Sequence, residues 1–154
     1  MADVHDRETR SRNMAAIRNK DTKPEILFRK ALFARGFRYR LHVKALPGKP
    51  DLALRKYRVA VFVHGCFWHH HDCHLFKWPK SNPDFWREKI SRNATLDTAH
   101  QKKLKGLGWR VAVVWQCAMP GKSRKYTDTV LDEFERWLES GRQSVEIAGI
   151  LANA

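Results

Sequence analysis

Residues 64–78, HGCFWHHHDCHLFKW, concentrate the side chains that most readily bind metals and transfer protons, with two cysteines and five histidines. Zinc usually takes a tetrahedron of cysteine and histidine ligands, in which a close group is completed from elsewhere in the chain. Cys66, His71 and Cys73 are three candidates, and Cys117, the remaining cysteine, ends the apolar run WRVAVVWQC. This pattern predicts a structural zinc site of three cysteines and one histidine.

Spacing alone leaves the histidine of this site open, because His69, His70 and His74 are also near enough in sequence. The alternative is a set of buried free cysteines, which behave as small hydrophobic residues, beside surface histidines. If four protein ligands saturate the zinc, no position is open for a catalytic water. Any catalytic chemistry must then come from other residues.

Asp51 is the candidate for that chemistry. It follows Gly48-Lys49-Pro50 at the start of one predicted strand, and the next strand ends in Phe62-Val63-His64. A hairpin that returns a polar group beside this carboxylate could hold a metal ion against a phosphate. An aspartate after proline is also common in turns, and without further context the turn interpretation is favoured.

The surrounding pattern predicts the elements that position these residues. A helix begins at Thr22, with Pro24 in its first turn and Glu25 completing a capping box, and ends at Gly36. Its predicted apolar face consists of Ile26, Leu27, Ala31 and Leu32. The later predicted elements are a strand in FRYRLHV (37–43), two strands within 51–65 covered on both faces, a helix from Asn82-Pro83-Asp84 to Gly106 or Gly108, a buried strand at 109–117, and an amphipathic helix with Val130, Phe134, Trp137 and Leu138 that ends near Gly141.

This order favours an α/β fold with a mixed central sheet flanked by helices. The length of 154 residues suits one domain. We predict a polar N-terminal arm at 1–21, a single domain at 22–141 and a C-terminal tail at 142–154. No apolar run is long enough to predict a transmembrane helix, and the charged N-terminus does not resemble a secretion signal. We therefore expect a cytoplasmic protein without disulfides.

The charge predicts a polyanionic partner. Thirty Lys and Arg residues oppose 16 Asp and Glu residues, giving a net charge of +14 and a pI near 10.2. Such an excess on a small domain indicates nucleic acid. The alternative is a basic surface that only keeps the protein in solution.

Four segments resemble the very short patch repair endonucleases of bacteria: SRNMAAIRNKDTKPE (11–25), PGKPDLAL (47–54), VFVHGCFWHHHDC (61–73) and VVWQC (113–117). The resemblance runs from about Asp6 to about Leu138. It implies a divergent PD-(D/E)xK, restriction-endonuclease-like fold with a structural zinc site and an N-terminal arm. It also implies nicking of double-stranded DNA on the 5′ side of the thymine in a T:G mismatch, which arises when 5-methylcytosine deaminates. That nick would start short-patch resynthesis.

The resemblance assigns roles to individual residues. Asp51 would be the shared ligand of two Mg²⁺ ions, and Val63 would add its main-chain carbonyl. His69 would act as general base on the attacking water, while His64 would lie at the scissile phosphate. Glu25 would support the metal site through water. One zinc ion would be held by Cys66, His71, Cys73 and Cys117.

Some positions depart from the pattern of the family or of the wider fold, and Glu25 has more than one interpretation. Related sequences carry threonine at the position of Val63, so a hydroxyl is lost although the carbonyl ligand is kept. The general PD-(D/E)xK pattern would place an acidic residue and a lysine at Phe62 and His64, and neither is present. Glu25 has two interpretations, as the helix cap or as metal support, and one side chain can serve both.

The aromatic residues complete the implied DNA-binding surface. In the family, aromatic side chains at Phe67, Trp68 and Trp86 wedge into the DNA stack beside the mismatch, where unstacking costs less. Met14 and Ile17 of the arm would enter from the opposite groove. Ordinary core packing is the alternative, and it is expected for Trp109 and Trp115. The pattern assigns no role to Trp78.

Two other classes of protein remain to be separated from a nuclease. A zinc-stabilised DNA-binding protein without catalysis would keep its function after Asp51→Ala. A nucleobase deaminase would need an open zinc site with the H-x-E and P-C-x-x-C motifs, and this sequence has neither. We expect a monomer, with mismatch-repair proteins as candidate partners.

Overall fold

A computed structural model describes residues 21–120 and 124–149 of the chain. Residues 1–20 of the predicted arm at 1–21, including Met14 and Ile17, lie outside these residues. The helices are α1 (Lys23–Ala34), α2 (Pro83–Gly106) and α3 (Arg124–Ser140), with a short 3-10 helix at Gln116–Ala118. The strands are β1 (Arg40–Leu41), β2 (Leu52–Leu54), β3 (Val59–His64), β4 (Arg110–Trp115) and β5 (Ser144–Ile147).

The five strands form one mixed sheet in the order β1-β2-β3-β4-β5. β1, β2 and β3 pair antiparallel, whereas β3 with β4 and β4 with β5 pair parallel. Parallel neighbours need a crossover, and α2 and α3 supply the two connections. The predicted mixed sheet flanked by helices is confirmed, and it is compatible with a nuclease fold.

Alternate residues of β3 and β4 enter two separate cores, one on each face of the sheet. Val61 and Val114 pack in the larger core with Phe28 of α1 and Phe134 of α3. On the other face, the smaller core contains Phe62, Val113, Leu104 of α2, and both Cys66 and Cys117. Every residue of β3 is buried, as expected for a strand covered on both faces. The sheet therefore separates the larger core from the side that carries the cysteines.

The ends of α1 follow the sequence prediction. Thr22 Oγ1 accepts a hydrogen bond from the Glu25 backbone N–H at 3.4 Å. Gly36, just past the helix, has a positive φ of 96°, which glycine adopts without strain. Phe28, which was not placed on the predicted apolar face, is fully buried against the ring of Phe134 at 5.5 Å.

Two boundary predictions are wrong in part. Of the predicted strand 37–43, only Arg40–Leu41 forms a strand paired with β2. His42 then adopts a positive φ of 48°, and the N–H groups of His42 and Val43 still donate to the Asp51 and Pro50 carbonyls. The predicted tail at 142–154 contains β5, which extends the sheet beyond residue 141. Only Ile147 of this four-residue edge strand is buried, so its sequence carries little periodic signal.

α2 and α3 lie where the sequence predicts them. α2 begins after Asn82 and ends at Gly106, and Gly108 adopts a positive φ of 86° beyond it. α3 buries Val130, Phe134 and Trp137 against the larger core. No helix of the described part of the chain is both long and apolar enough to cross a membrane.

Candidate functional site

The candidate site lies at the carboxyl ends of the three parallel strands β3, β4 and β5. Cys66 comes two residues after the end of β3, Cys117 two residues after β4, and Gly149 two residues after β5. The carboxyl ends of parallel strands meet at one edge, which is where ligands bind in open α/β sheets. The register pairs His64 with Trp115, so both following loops start at the same level.

Cys66, His71, Cys73 and Cys117 converge into one four-ligand group. Their ligand atoms all lie within 4.8 Å of one another. The distance from Cys117 Sγ to His71 Nδ1 is 3.5 Å. A tetrahedral ion with bonds of about 2.3 Å to sulfur and 2.0–2.1 Å to nitrogen would separate such a pair by about 3.6 Å. Donor types, number and spacing therefore fit a closed metal site, with His71 rather than His69, His70 or His74 as its histidine.

Backbone hydrogen bonds shape the loop that brings these ligands together. The His71 N–H donates to the Cys66 carbonyl at 2.9 Å, and the Cys73 N–H donates to the His71 carbonyl at 2.9 Å. Gln116 Oε1 accepts from the Cys66 N–H at 3.3 Å, which ties this loop to the one after β4. Burial raises the pKa of the Cys66 and Cys117 thiols and lowers that of His71. In a buried site, a bound cation would stabilise the thiolates.

Gly149 approaches the same ligands from β5. Its N–H donates to Cys117 Sγ at 3.3 Å. A Cβ at this position would lie 2.4 Å from the Cys117 carbonyl oxygen, so the backbone could not remain there with any other residue. The segment beyond residue 141 thus contributes to the cysteine group as well as to the sheet.

Asp51 lies beside the end of β3. Its Oδ2 accepts a hydrogen bond from the Val63 N–H at 2.7 Å, so the carboxylate sits one residue from His64. Burial raises the pKa of Asp51 to about 8, the Val63 hydrogen bond opposes this shift, and the charge and hydrogen bond of Glu25 add to it. Two neighbouring carboxyl groups with so little access to water favour a proton or a cation between them.

Glu25 is almost fully buried at 1% exposure and has several polar neighbours. Its carboxylate accepts from the Asp21 N–H at 3.2 Å and from Arg29 at 2.7 Å, and His42 lies 3.5 Å away. The second half of the expected capping box is therefore displaced by one residue, from Thr22 to Asp21. Glu25 joins the helix start to Asp51, so the two interpretations of this residue are structurally compatible.

His64 and His69 form a stacked pair, with ring centroids 3.7 Å apart and planes inclined by 5°. Burial, with a contribution from His69, lowers the pKa of His64 well below its ordinary value. Nδ1 of His64 is buried and has no hydrogen-bond partner among the described residues. His69 Nδ1 lies 2.5 Å from Oδ2 of Asp97 in α2. The arrangement combines a neutral histidine that has an unused polar atom with a second histidine that is oriented by a carboxylate.

Trp115 stands between the cysteine group and the histidine pair. Its ring stacks on His71 at 4.1 Å with an interplanar angle of 7°, and it meets His64 edge-on at 5.3 Å. Its indole N–H donates to Glu146 of β5 at 3.1 Å. The sequence predicted core packing for Trp115, and it is buried, but one indole contacts both groups of functional side chains.

The predicted wedge residues Phe67, Trp68 and Trp86 form one half-buried aromatic cluster. The Phe67 and Trp86 rings are 5.4 Å apart, and the Trp68 and Trp86 rings 5.7 Å apart. Asn93 of α2 donates to the Trp68 carbonyl at 3.0 Å, which fixes the loop to the helix. The cluster belongs to neither buried core, so it differs from ordinary core packing.

Sequence reasoning missed Asp97, Asn93 and Gly149. Asn93 and Asp97 lie four residues apart, with Ile90 on the same face of α2, and this spacing was the available signal. Their partners are distant in sequence, at Trp68 and His69, so no local pattern could pair them. Gly149 had no signal, because its close approach depends on the pairing of β5.

This chain is similar to known DNA endonucleases over most of its length. Residues 2–75 match the family model described as DNA mismatch endonuclease Vsr. The chain is 41% identical over 152 residues to the DNA mismatch endonuclease Vsr of Escherichia coli, covering 97% of each protein. It is 47% identical over 123 residues to a type II nicking enzyme, V.NmeAIP, of Neisseria meningitidis, covering 80% of this chain and 88% of that protein. It is 45% identical to V.XorIIP of Xanthomonas oryzae, covering 77% and 88% respectively.

These relatives are endonucleases, as the sequence resemblance implied. The chain therefore belongs to the Vsr family of DNA mismatch endonucleases.

We predict that Asp51→Asn stabilises the metal-free protein although it removes a candidate metal ligand. The folded protein keeps Asp51 protonated up to a pKa of about 8, whereas the unfolded chain ionises near 3.8. Wild-type stability therefore falls as pH rises between these values, since the unfolded state releases the proton first. The neutral amide avoids that cost, and at pH 8 it should raise the free energy of unfolding by at least about 1 kcal/mol, the order of one pKa unit.

The measurement is urea unfolding of both proteins in chelator at pH 4.5 and pH 8. The difference should be small at pH 4.5 and larger at pH 8. Asp128→Asn, at an exposed carboxylate of α3, is the matched control and should show no such growth. Equal stability of wild type and Asp51→Asn at pH 8 would contradict the assignment of a strained carboxyl to Asp51.

Proposed function

We propose that this protein nicks one DNA strand on the 5′ side of the thymine in a T:G mismatch, in a reaction that depends on Mg²⁺. The observation that carries the proposal is the Asp51–Val63 hydrogen bond of 2.7 Å, which sets a half-buried carboxylate beside the stacked histidines His64 and His69. A metal-binding carboxylate next to a histidine base is an arrangement suited to phosphodiester hydrolysis.

The oxygen donors around Asp51 fit a hard divalent cation. Asp51 and Glu25 bring two neighbouring carboxylates, and the Val63 carbonyl is a further candidate ligand at the end of β3. Magnesium prefers such oxygen ligands and keeps several waters, which agrees with support from Glu25 through water. Bound Mg²⁺ would supply charge stabilisation for the attacking and leaving oxygens at the phosphate, with two ions if Asp51 is shared.

His69 has the surroundings of a general base. A proton on Nδ1 directed at Asp97 leaves Nε2 free to accept a proton from the attacking water. His64 is kept neutral by burial, so it could offer the phosphate an uncharged ring N–H rather than a positive charge. The ring centroids of His64 and His69 are 3.7 Å apart, so both histidines could act on the same phosphate group.

The remaining features support DNA as the substrate and zinc as the structural ion. The net charge of +14 favours binding to the phosphate backbone. The cluster of Phe67, Trp68 and Trp86 supplies apolar wedges of the kind that unstack a base step, and a mismatch lowers that cost. Zn²⁺ in the Cys66–His71–Cys73–Cys117 group would fix the loop that carries Phe67, Trp68 and His69.

The activity is tested with a duplex that carries one T:G mismatch, beside the fully paired duplex and Asp51→Ala protein. We expect a Mg²⁺-dependent nick 5′ to the mismatched thymine, absent with the paired duplex and with Asp51→Ala, because the shared metal ligand is lost. Several flanking contexts should be used, including the CCWGG-like sites of cytosine methylation that the resemblance to the family implies. Mismatch binding without a nick in any context would contradict the nuclease proposal and favour a non-catalytic DNA-binding protein; Val63→Thr would then be the first change to test.

We predict that Asp97→Asn lowers the nicking rate by about 10- to 100-fold at neutral pH, since an amide can hold His69 in the wrong tautomer. His69→Ala should lower the rate further, by about 10²–10⁴-fold, because the base itself is lost. Rates are measured in single turnover from pH 6 to pH 9. Asp97→Asn should also change the pH profile, whereas the exposed Glu88→Gln on the same helix should leave it unchanged. A normal profile in Asp97→Asn would show that Asp97 does not orient the base.

We predict that the purified protein carries one zinc ion and that Cys117→Ser weakens its retention. Serine is a poor ligand for zinc, and the loops after β3 and β4 would then lose their common ligand. Zinc content is measured by elemental analysis, and thermal unfolding is followed with and without a strong chelator. Chelation should lower the Tm of wild type by more than 5 °C, while His74→Ala, a histidine outside the group, should behave as wild type. Full stability without bound metal would exclude a structural zinc site.

A further inference from the structure

The aromatic cluster continues beyond the three wedge residues. The Phe67 ring stacks on Phe76 with centroids 6.0 Å apart and an angle of 25°. Phe76 in turn meets Trp78 edge-on at 5.0 Å, and His70 touches both rings at 4.7 and 5.2 Å. We call His70, Phe76 and Trp78 the outer aromatic group. It is joined to the wedge without a gap.

The outer aromatic group faces outward. Trp78 is 37% exposed, its neighbour Leu75 is 41% exposed, and neither belongs to a buried core. A tryptophan on a polar, basic surface exposes a large apolar area, which is unfavourable unless another molecule covers it. The group is also held in place, because the Phe76 N–H donates to the carbonyl of Cys73 at 3.1 Å.

The charge around this group selects the kind of partner. The Arg87 guanidinium lies 5.1 Å from the centre of the Trp78 ring. Lys77 and Lys80 are exposed on the same segment, and residues 74–83 contain no acidic side chain. Aromatic rings interleaved with positive charge are typical of nucleic-acid surfaces, where bases or sugars pack on the ring and cations meet phosphates.

We propose that Trp78, supported by His70 and Phe76, makes a second aromatic contact with the DNA duplex, outside the wedge and on one flank of the mismatch. The inference rests on the proposed function, because the wedge defines where the mismatch lies. Trp78 is two ring contacts from Phe67, of 6.0 and 5.0 Å. With a rise of about 3.4 Å per base pair, the contact falls within about three base pairs of the wedge.

This position predicts a different effect from that of the wedge. A wedge residue acts at the mismatch, so Trp68→Ala should reduce the preference for T:G over paired DNA. Trp78 contacts flanking duplex, so Trp78→Ala should weaken binding to both by the same factor. Because the bases of flanking duplex are stacked on one another, this contact is with a sugar or a base edge, and the loss of affinity should stay below the roughly 100-fold expected for a base stacked fully on the ring. Trp78→Phe should keep most of the affinity, and Trp78→Leu, which keeps an apolar side chain, should lose it.

The experiment measures equilibrium binding without Mg²⁺, so that the result does not depend on nicking. Wild type, Trp78→Ala, Trp78→Leu and Trp78→Phe are compared on a long T:G duplex and on its paired counterpart. They are also compared on T:G duplexes that are shortened on one side or the other, in single steps from about four base pairs to one base pair beyond the mismatch. Trimming one particular side should weaken wild type and abolish the difference between wild type and Trp78→Ala. Zinc content and Tm of each variant verify that the loop is intact.

Equal affinity of wild type and Trp78→Ala on the long duplexes would overturn the proposal and leave a protein partner as the occupant of this surface. A loss that persists on both trimmed duplexes would also overturn it, because the effect would then be indirect. If wild type shows no preference for T:G, the proposed function fails. A dependence on one trimmed flank would in that case still identify Trp78 as a DNA contact.

Discussion

The parallel pairing of β3 with β4 is the constraint on which the functional part of this molecule depends. Both strands are buried valine-rich runs, and their register aligns His64 with Trp115 at the common edge of the sheet. The loops that follow therefore start side by side, and Cys66 and Cys117 meet although 50 residues separate them in sequence. A slip of one residue would turn the side chains of one strand to the opposite faces and separate both groups.

The candidate metal group and the candidate catalytic histidines both contact the indole of Trp115. The indole stacks on His71 and meets His64 edge-on. Displacement of the cysteine loop would therefore also shift the histidine pair. Glu146 holds the indole through its N–H, so the edge strand β5 reaches the same point. A structural ion in this position would stabilise catalytic geometry as well as the fold, because protein interiors are packed too closely to absorb such shifts locally.

Sequence reasoning succeeded where chemistry and local order coincide. Three cysteines and a run of histidines near two strong strand signals predicted that Cys66, Cys73 and Cys117 meet with a histidine, although only the family resemblance selected His71. The helix caps at Thr22 and Gly36 were visible in single residues. It failed where the partner is chosen by tertiary packing. Asp97 is an ordinary helix carboxylate until α2 crosses the loop that carries His69, and β5 is too short to show a period. For Asp51 the local pattern favours a turn, and only the resemblance to a known family suggests a metal-binding role.

The burial of Asp51 and Glu25 shows why the larger core must be well packed. Two neighbouring carboxyl groups in a dry site oppose folding in the absence of a cation, and the raised pKa of Asp51 expresses that cost. Arg29 offsets part of it by contacting both Glu25 and Asp21 at 2.7 Å. The rest must come from apolar burial on α1 itself, where Phe28 and Leu32 follow Glu25 on the same helix and are fully buried. The helix that carries the unfavourable carboxylate is thus also anchored in the structural core, and this prevents Glu25 from relaxing outward to water.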